Sequence, residues 1–466
     1  MTVRSPVHWA SHPHNPFNWP RGKKWMSMLT SCWVTFIVSL NATSITTAAD
    51  LISSEFDLAN GIFEYNFFVV TAWNAAAAVV PLVTLPLMET YGMRVGFVSA
   101  YGLFTIFLIP QAMAPNFTTL VVCRAIAGAL GGTLQNCADG IASNVFLDHR
   151  ERVFPLTLYT FILLFGVTMG PVLGAVAEPL GWRWIFWIEL IIYGTFAPVV
   201  LFCMEETRGP LLRVKFMPDA SPERSDNANV VATFKETIAR SAILLTTEPT
   251  IASFTLWSAF AFGLVFISTQ SIPLVFSDTY GWPLYADGVV QVAIGIGQII
   301  GLVACTIQNR VYIRSASYNP DSPGIPIPEY ILHLSIPSTA VALAGGLFMY
   351  GWSIYQPYWI VPAVALGLIG YASMVIVTAV SIYITDSYPG YAASAIAGVA
   401  FGENIFAAFL PLAAKPMYVR LGYQWASSVL AFIALVLTLA PVVLLWKGST
   451  IRAKSVAIKK MSHPDS

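Results

Sequence analysis

The feature that most constrains this chain is a succession of apolar runs, each long enough to cross a bilayer. A transmembrane helix needs roughly 20 predominantly apolar residues. Such runs lie near 26–48, 65–87, 95–113, 119–142, 154–178 and 182–203, then near 250–272, 285–308, 334–353, 359–384, 392–413 and 425–446. A hydrophilic stretch from Glu205 to about Glu248, with Pro218, Pro222 and the run Ser225-Asp226-Asn227, separates the two sets. The pattern is six spans, a loop, and six more. It predicts an all-α membrane protein with a tail at 1–24, a six-helix lobe at 25–204, a central loop at 205–248, a second lobe at 249–446 and a closing tail at 447–466.

Composition agrees: of 466 residues 56% are hydrophobic and only 10% charged, whereas soluble domains carry roughly 25% charged residues. A formal net charge of zero gives no electrostatic footprint for nucleic acid. The cysteines (Cys32, Cys123, Cys137, Cys203, Cys305) lie inside apolar runs without C-x-x-C spacing, so they read as small buried residues and imply no metal. Met1 to Lys24 is polar and lacks the apolar core of a signal peptide, so no cleaved leader is expected there. His8, His12 and His14 read as part of a disordered tail.

Basic residues set an orientation. With the N-terminus inside, 20 Lys and Arg fall in cytoplasmic segments; Arg183, Lys415 and Arg420 fall outside, and Arg124 lies within a span. Both termini are therefore expected in the cytoplasm. On the outer side Asn116-Phe117-Thr118 forms an N-x-T sequon, in a loop so short that glycosylation is a weak expectation.

Several segments carry a resemblance. After span two comes "LPLMETYGMR" (Leu85 to Arg94); span four holds Arg124, Gly128 and Gly132; span five reads Gly166-x-x-x-Gly170-Pro171-x-x-Gly174. Then follow Gly181-Trp182-Arg183-Trp184-Ile185-Phe186, Glu206-Thr207-Arg208, Thr247-Glu248-Pro249, Pro328-Glu329, and "YAASAIAG" with "FLPL" around span eleven. In order and spacing these resemble the major facilitator superfamily, and within it the fungal twelve-span drug:proton antiporters. The resemblance implies a gating loop with Glu89 in the acidic position and Gly92 and Arg94 matching, although Leu85, Thr90 and Met93 depart from the family pattern. It further implies a proton-linked arginine in Arg124 and an antiporter seal at Gly166, Gly170, Pro171 and Gly174. The bare spacing says only that the three glycines and Glu178 form one helical stripe, along which a neighbouring helix can pack closely.

Ionisable groups in a span are costly and mark pathways. Arg124, Glu189 and Glu403 are the deep ones; Asp139, Glu178, Arg183 and Asp287 lie nearer span ends. Arg124, Gly128, Gly131, Gly132, Gln135 and Asp139 share one helical face, too polar for lipid. Glu403 in mid-span eleven suits a group that gains and loses a proton, because low-dielectric surroundings favour the neutral acid; a structural ion pair, with Arg124 among its partners, is the alternative. Glu189 is expected to snorkel or to pair with Arg183. Candidate proton-coupling residues are thus Arg124, Glu403, Glu178 and Asp139. Candidate substrate contacts are Asn41, Trp73, Asn74, Gln135, Gln298, Tyr371 and Asn404, polar or aromatic anchors for a mostly apolar pocket.

The resulting expectation is a monomeric secondary transporter of the plasma membrane (or a vacuolar or vesicle membrane) that exports a small organic molecule, such as a secondary metabolite, toxin or drug, against protons. No phosphate-binding loop, no H-E-x-x-H and no G-x-S-x-G is present, so ATP-driven transport and enzymatic readings fall away, and no cofactor is called for. Export of organic acids or polyamines, uptake, and a transporter-like sensor without flux stay open as alternatives. An acid carrier would want cavity arginines, and only Arg124 is deep.

Overall fold

The computed structural model describes residues 9–58, 67–217, 241–319, 324–388 and 391–454. His8, positions 218–240 of the central loop, the tail beyond 454 and the side chain of Asp287 lie outside the described residues. Every regular element among those described is helical. This is what an apolar chain in lipid requires, since a helix satisfies its backbone groups internally.

Among the described residues, ten helices are long and apolar enough to cross a membrane. An eleventh span is a bent pair, Phe68–Val79 and Pro81–Tyr91, angled by 45° at the break before Pro81, which has no N–H for the hydrogen-bond ladder. The twelfth comes from Ala392–Lys454, whose 63 residues would run about 95 Å if straight, three times a bilayer core. Gly422, with φ 77° and ψ 159°, breaks that run into spans eleven and twelve without a separate loop. Lys415 and Arg420, expected in a loop, therefore sit on helix. Span nine carries a π-helical turn, Ser338–Leu343, directly after Pro337.

The halves repeat one another in how their spans are buried and paired. Windows in spans one and seven are each 83% buried, whereas that of span six is 28% buried and turns Ile191, Leu201 and Phe202 outward to lipid. Gly128 of span four lies against the backbone carbonyl of Trp73 on span two; in the second half Gly297 of span eight lies against that of Gly367 on span ten. Side chains there would part these helices. Trp352, Trp359, Trp425 and Trp446 are exposed near span ends, as interface anchors are.

From Trp9 onward the chain ahead of span one packs against the helix that follows span six. His14 stacks on Phe216 of helix Gly209–Phe216 with ring centroids 3.9 Å apart, and His12 stacks on Trp9. Asn15 holds the turn by accepting from the Phe17 amide and donating to the Trp9 carbonyl.

Candidate functional site

The deep charges of the first half close on one another. Arg124 is fully buried. It donates from Nη1 to the Asn41 carbonyl (2.9 Å) and to Asn41 Oδ1 (3.1 Å), from Nη2 to the Ala42 carbonyl (2.9 Å), and from Nε to the Val69 carbonyl (3.2 Å). Asn41 Nδ2 in turn donates to Glu189 Oε2 (2.6 Å), and Ser44 Oγ donates to Glu189 Oε1 (2.7 Å). Trp73 Nε1 adds a bond to Asn41 Oδ1 (3.0 Å). Spans one, two, four and six are thereby pinned around a cation and an anion that satisfy each other through an amide.

Three expectations change. Arg124 is a tie among helices of its own half, with Glu189 as the carboxylate in electrostatic reach and no contact to Glu403. Glu189 neither snorkels nor meets Arg183, which instead pairs with Glu55 at 2.6 Å. Asn41 and Trp73, expected as substrate contacts, both take part in this lattice. The sequence signal for Glu189 was the polar pair Asn41 and Ser44 on an apolar span: a buried acid and a buried base in one half need such intermediaries.

The stripe on span five also divides. Gly166 and Gly170 let the Phe36 and Leu40 carbonyls of span one approach, each 2.6 Å from where a Cβ would stand, and Gly174 does the same for Ser44. Thr43 Oγ1 bonds the Val167 carbonyl at 2.6 Å. These glycines pack two helices of the same half. The Pro171 carbonyl and the Ala175 methyl face the other half, 2.7 Å and 2.6 Å from a Cβ built on Gly288 of span eight.

The loop after span two likewise stays within its half. Glu89 pairs with Arg208 (3.2 Å), and Glu206 accepts from the amides of Met93, Arg94 and Arg208. A Cβ on Gly92 would meet Glu206 Oε2 at 2.7 Å, and Arg94 Nη2 bonds the Leu201 carbonyl. The Glu206-Thr207-Arg208 motif is the partner of this loop.

Where the halves meet, a different group of side chains assembles. Glu403 of span eleven is 8% exposed and accepts a short hydrogen bond from Ser258 Oγ of span seven. Its field reaches Asp139 of span four, and both carboxylates act on Tyr159 of span five. All four positions lie within about three helical turns of the same end of the bundle. At that end Asp386 of span ten receives Arg152 Nη2 (2.8 Å), His149 Nδ1 (2.9 Å) and the Tyr312 hydroxyl (2.5 Å), so that two residues of span five are latched to spans eight and ten. The latch was not legible in sequence, because charges at span ends are ordinarily solvated.

Further along the seam, Asn309 Nδ2 donates to Thr157 Oγ1 (2.8 Å) and Gln298 Nε2 to Thr168 Oγ1 (2.8 Å). At the far end Thr71 Oγ1 bonds the Ala408 carbonyl (2.9 Å). Gln298 therefore joins spans five and eight.

The other candidates are dispersed. Gln135 bonds Ser39, Tyr371 accepts from Ser338, and Asn74 and Asn404 donate to carbonyls of their own helices. Glu178 lies past the end of span five, partly exposed and away from the junction. Asn116 is exposed and caps span four by accepting from the Thr119 amide (2.8 Å).

Comparison with known proteins agrees with this architecture. The sequence profile of the Major Facilitator Superfamily matches residues 31–318. The chain is 34% identical to the MFS transporter cpaT of Aspergillus oryzae, over 95% of this chain and 90% of that one. It is 32% identical to the efflux pump radE of Floropilus chiversii, over 95% and 83%. The fold is similar to that of the human organic anion transporter MFSD10 (TETRAN), with a TM-score of 0.60 at 12% identity, covering 91% of this chain and all of that one. With a buried two-half helical bundle, a polar seam between the halves and relatives along nearly its whole length, this chain belongs to the major facilitator superfamily, where it is similar to fungal transporters of the efflux type.

Proposed function

We propose that this protein is a proton-coupled exporter of a small organic molecule, working by rocking of its two halves about the seam, with Glu403 as the coupling carboxylate. The observation that carries the reading is the position of Glu403. It is a buried acid, bonded among the described residues to a serine hydroxyl of its own half and within electrostatic reach of Asp139 of the other. A carboxylate so placed changes its surroundings whenever the halves move apart, which is what coupling to a proton requires. Arg124 cannot share this duty in the same way, since its donors are held by carbonyls of spans one and two.

Export, rather than uptake, is supported by the efflux pump among the relatives. The basic-residue bias supports cytoplasmic termini, which puts the Asp386 latch on the cytoplasmic side. Tags at either terminus or within 218–240 should all report the cytoplasm; one found outside would reverse the orientation.

The coupling test is Glu403→Gln in proteoliposomes. It keeps size and hydrogen-bonding capacity but cannot cycle a proton. Uphill, pH-driven transport should disappear while exchange at equal pH persists. Uphill transport at the normal rate would mean that coupling resides elsewhere.

A further inference from the structure

Nδ1 of His149 stands between two partners with opposite demands. It lies 2.9 Å from Asp386 Oδ1 and 3.3 Å from Arg152 Nη2. A carboxylate only accepts and a guanidinium only donates. A ring nitrogen that carries a proton therefore bonds Asp386 and turns a donor toward Arg152. A bare one bonds Arg152 and turns its lone pair toward the carboxylate. One atom cannot serve both, so the latch has two arrangements.

Only one of them ties the halves through the imidazole. Asp386 belongs to span ten, whereas His149 and Arg152 lie one turn apart at the start of span five. A protonated ring adds a second cation to the carboxylate that crosses the seam, and such charge-assisted bonds are roughly twice as strong as neutral ones. A ring with bare Nδ1 takes its bond from its own helix and leaves Asp386 to Arg152 (2.8 Å) and the Tyr312 hydroxyl (2.5 Å).

The other charges at this end are engaged or solvated. Glu151 faces Lys24 of span one (4.0 Å), Glu329 ahead of span nine bonds Arg452, and Glu248 ahead of span seven receives the Tyr388 hydroxyl (3.4 Å). Asp139 of span four is acted on by Arg152, and Arg150, Arg310 and Arg314 are exposed. Asp148 caps span five and Glu151 lies in its first turn, which offsets the positive helix end that would oppose a charge on His149.

We infer that His149 is a proton-binding switch for the latch: with the ring protonated the Asp386 end of the bundle is held shut, and with the ring neutral it opens more readily. The imidazole is partly exposed while Asp386 is buried, so the proton comes from the water at that end. Histidine exchanges its charge between about pH 5 and 8. The hold is therefore strongest at the acidic end of that window and fades toward the alkaline end. The inference rests on the reading of two halves that move, and adds a control of that movement separate from Glu403.

The test measures the separation of spans five and eight at this end. Spin labels at Arg150→Cys and Arg314→Cys, in a full chain whose own cysteines are replaced by alanine, are read by dipolar spectroscopy in nanodiscs without cargo or gradient. The ratio of short to long separations should be about threefold higher at about pH 5.5 than at about pH 8, the size of effect expected of a partly solvated ion pair. His149→Gln, which bonds but does not charge, should show one ratio at both. Glu403→Gln should keep the response of the labelled parent. A ratio that ignores pH, one that rises with pH, or a response that persists in His149→Gln would overturn the switch. Loss of the response in Glu403→Gln would do the same, by assigning it to the coupling acid. Uphill transport by Glu403→Gln is measured apart from these separations, so either reading can fail alone.

Discussion

In the first half, Arg124 and Glu189 sit deep in the bundle, their guanidinium and carboxylate held by Asn41, Ser44 and helix carbonyls. In the second, Glu403 is equally deep but has one serine for a partner and looks across to the opposite half. Both arrangements place charge where lipid surrounds the protein, yet they serve different ends. A closed network fixes helices relative to one another, since each member is costly to expose or to leave alone. An open one leaves capacity for something that comes and goes.

Arg124→Ala should give the largest effect and is the most direct way to break this contrast. It leaves Glu189 buried without its cation and takes one donor from each of three helix carbonyls. Breaking a buried pair from one side costs about 3–5 kcal/mol. A clear fall in the detergent melting midpoint, with little folded protein reaching the membrane, is expected. Glu189→Gln, which can still bond Asn41 and Ser44, should lose less. A wild-type midpoint in Arg124→Ala would show that the first-half network is as open as the second.

How much of this was legible beforehand follows the same division. The spans were, because a 20-residue apolar run has few alternatives in a bilayer. Their pairing was legible only as stripes: the glycines of span five announced a close neighbour, but not that span one would be that neighbour. Arg124, Glu403 and Asp139 stood out as charges inside spans. Their partners did not, since a helical wheel gives a residue's direction and not what comes to meet it. The Asp386 latch was hidden for another reason, as Arg152 and His149 read like ordinary loop-end charges until spans eight and ten are brought alongside.

Packing offers a second, smaller test. A Cβ on Gly170 would meet the hydroxyl of Thr43 and the Leu40 carbonyl, both fixed by span one, whereas one on Gly402 of span eleven would meet chiefly the Thr255 methyl. Overpacking costs about 1–3 kcal/mol where the neighbour cannot move. Gly170→Ala should therefore lower the melting midpoint measurably and Gly402→Ala less. Equal losses would mean that the two equivalent helix pairs, spans one and five and spans seven and eleven, are equally rigid.

The smallest expected change in stability, and the sharpest in motion, belongs to Asp386→Asn. The substitution keeps the side chain's shape and an oxygen for the Tyr312 hydroxyl, but removes the charge that holds Arg152 and His149 of span five. The Asp386 side chain is buried, but those of Arg152 and His149 keep 18% and 33% of their surface exposed and can be solvated once released, so the melting midpoint should fall less than in Arg124→Ala. The latch, however, joins the halves at one end only, and weakening it favours states in which that end is open. Cys32 of span one, 2% exposed and in the field of Tyr159, reports on this end of the seam. In a variant retaining Cys32 as its only cysteine, a membrane-permeant maleimide should label it several-fold faster once Asp386 is replaced. Unchanged labelling together with a fall in midpoint as large as that of Arg124→Ala would place Asp386 among the closed structural networks, and the latch would then be a fixture of the fold rather than a contact that the halves make and break.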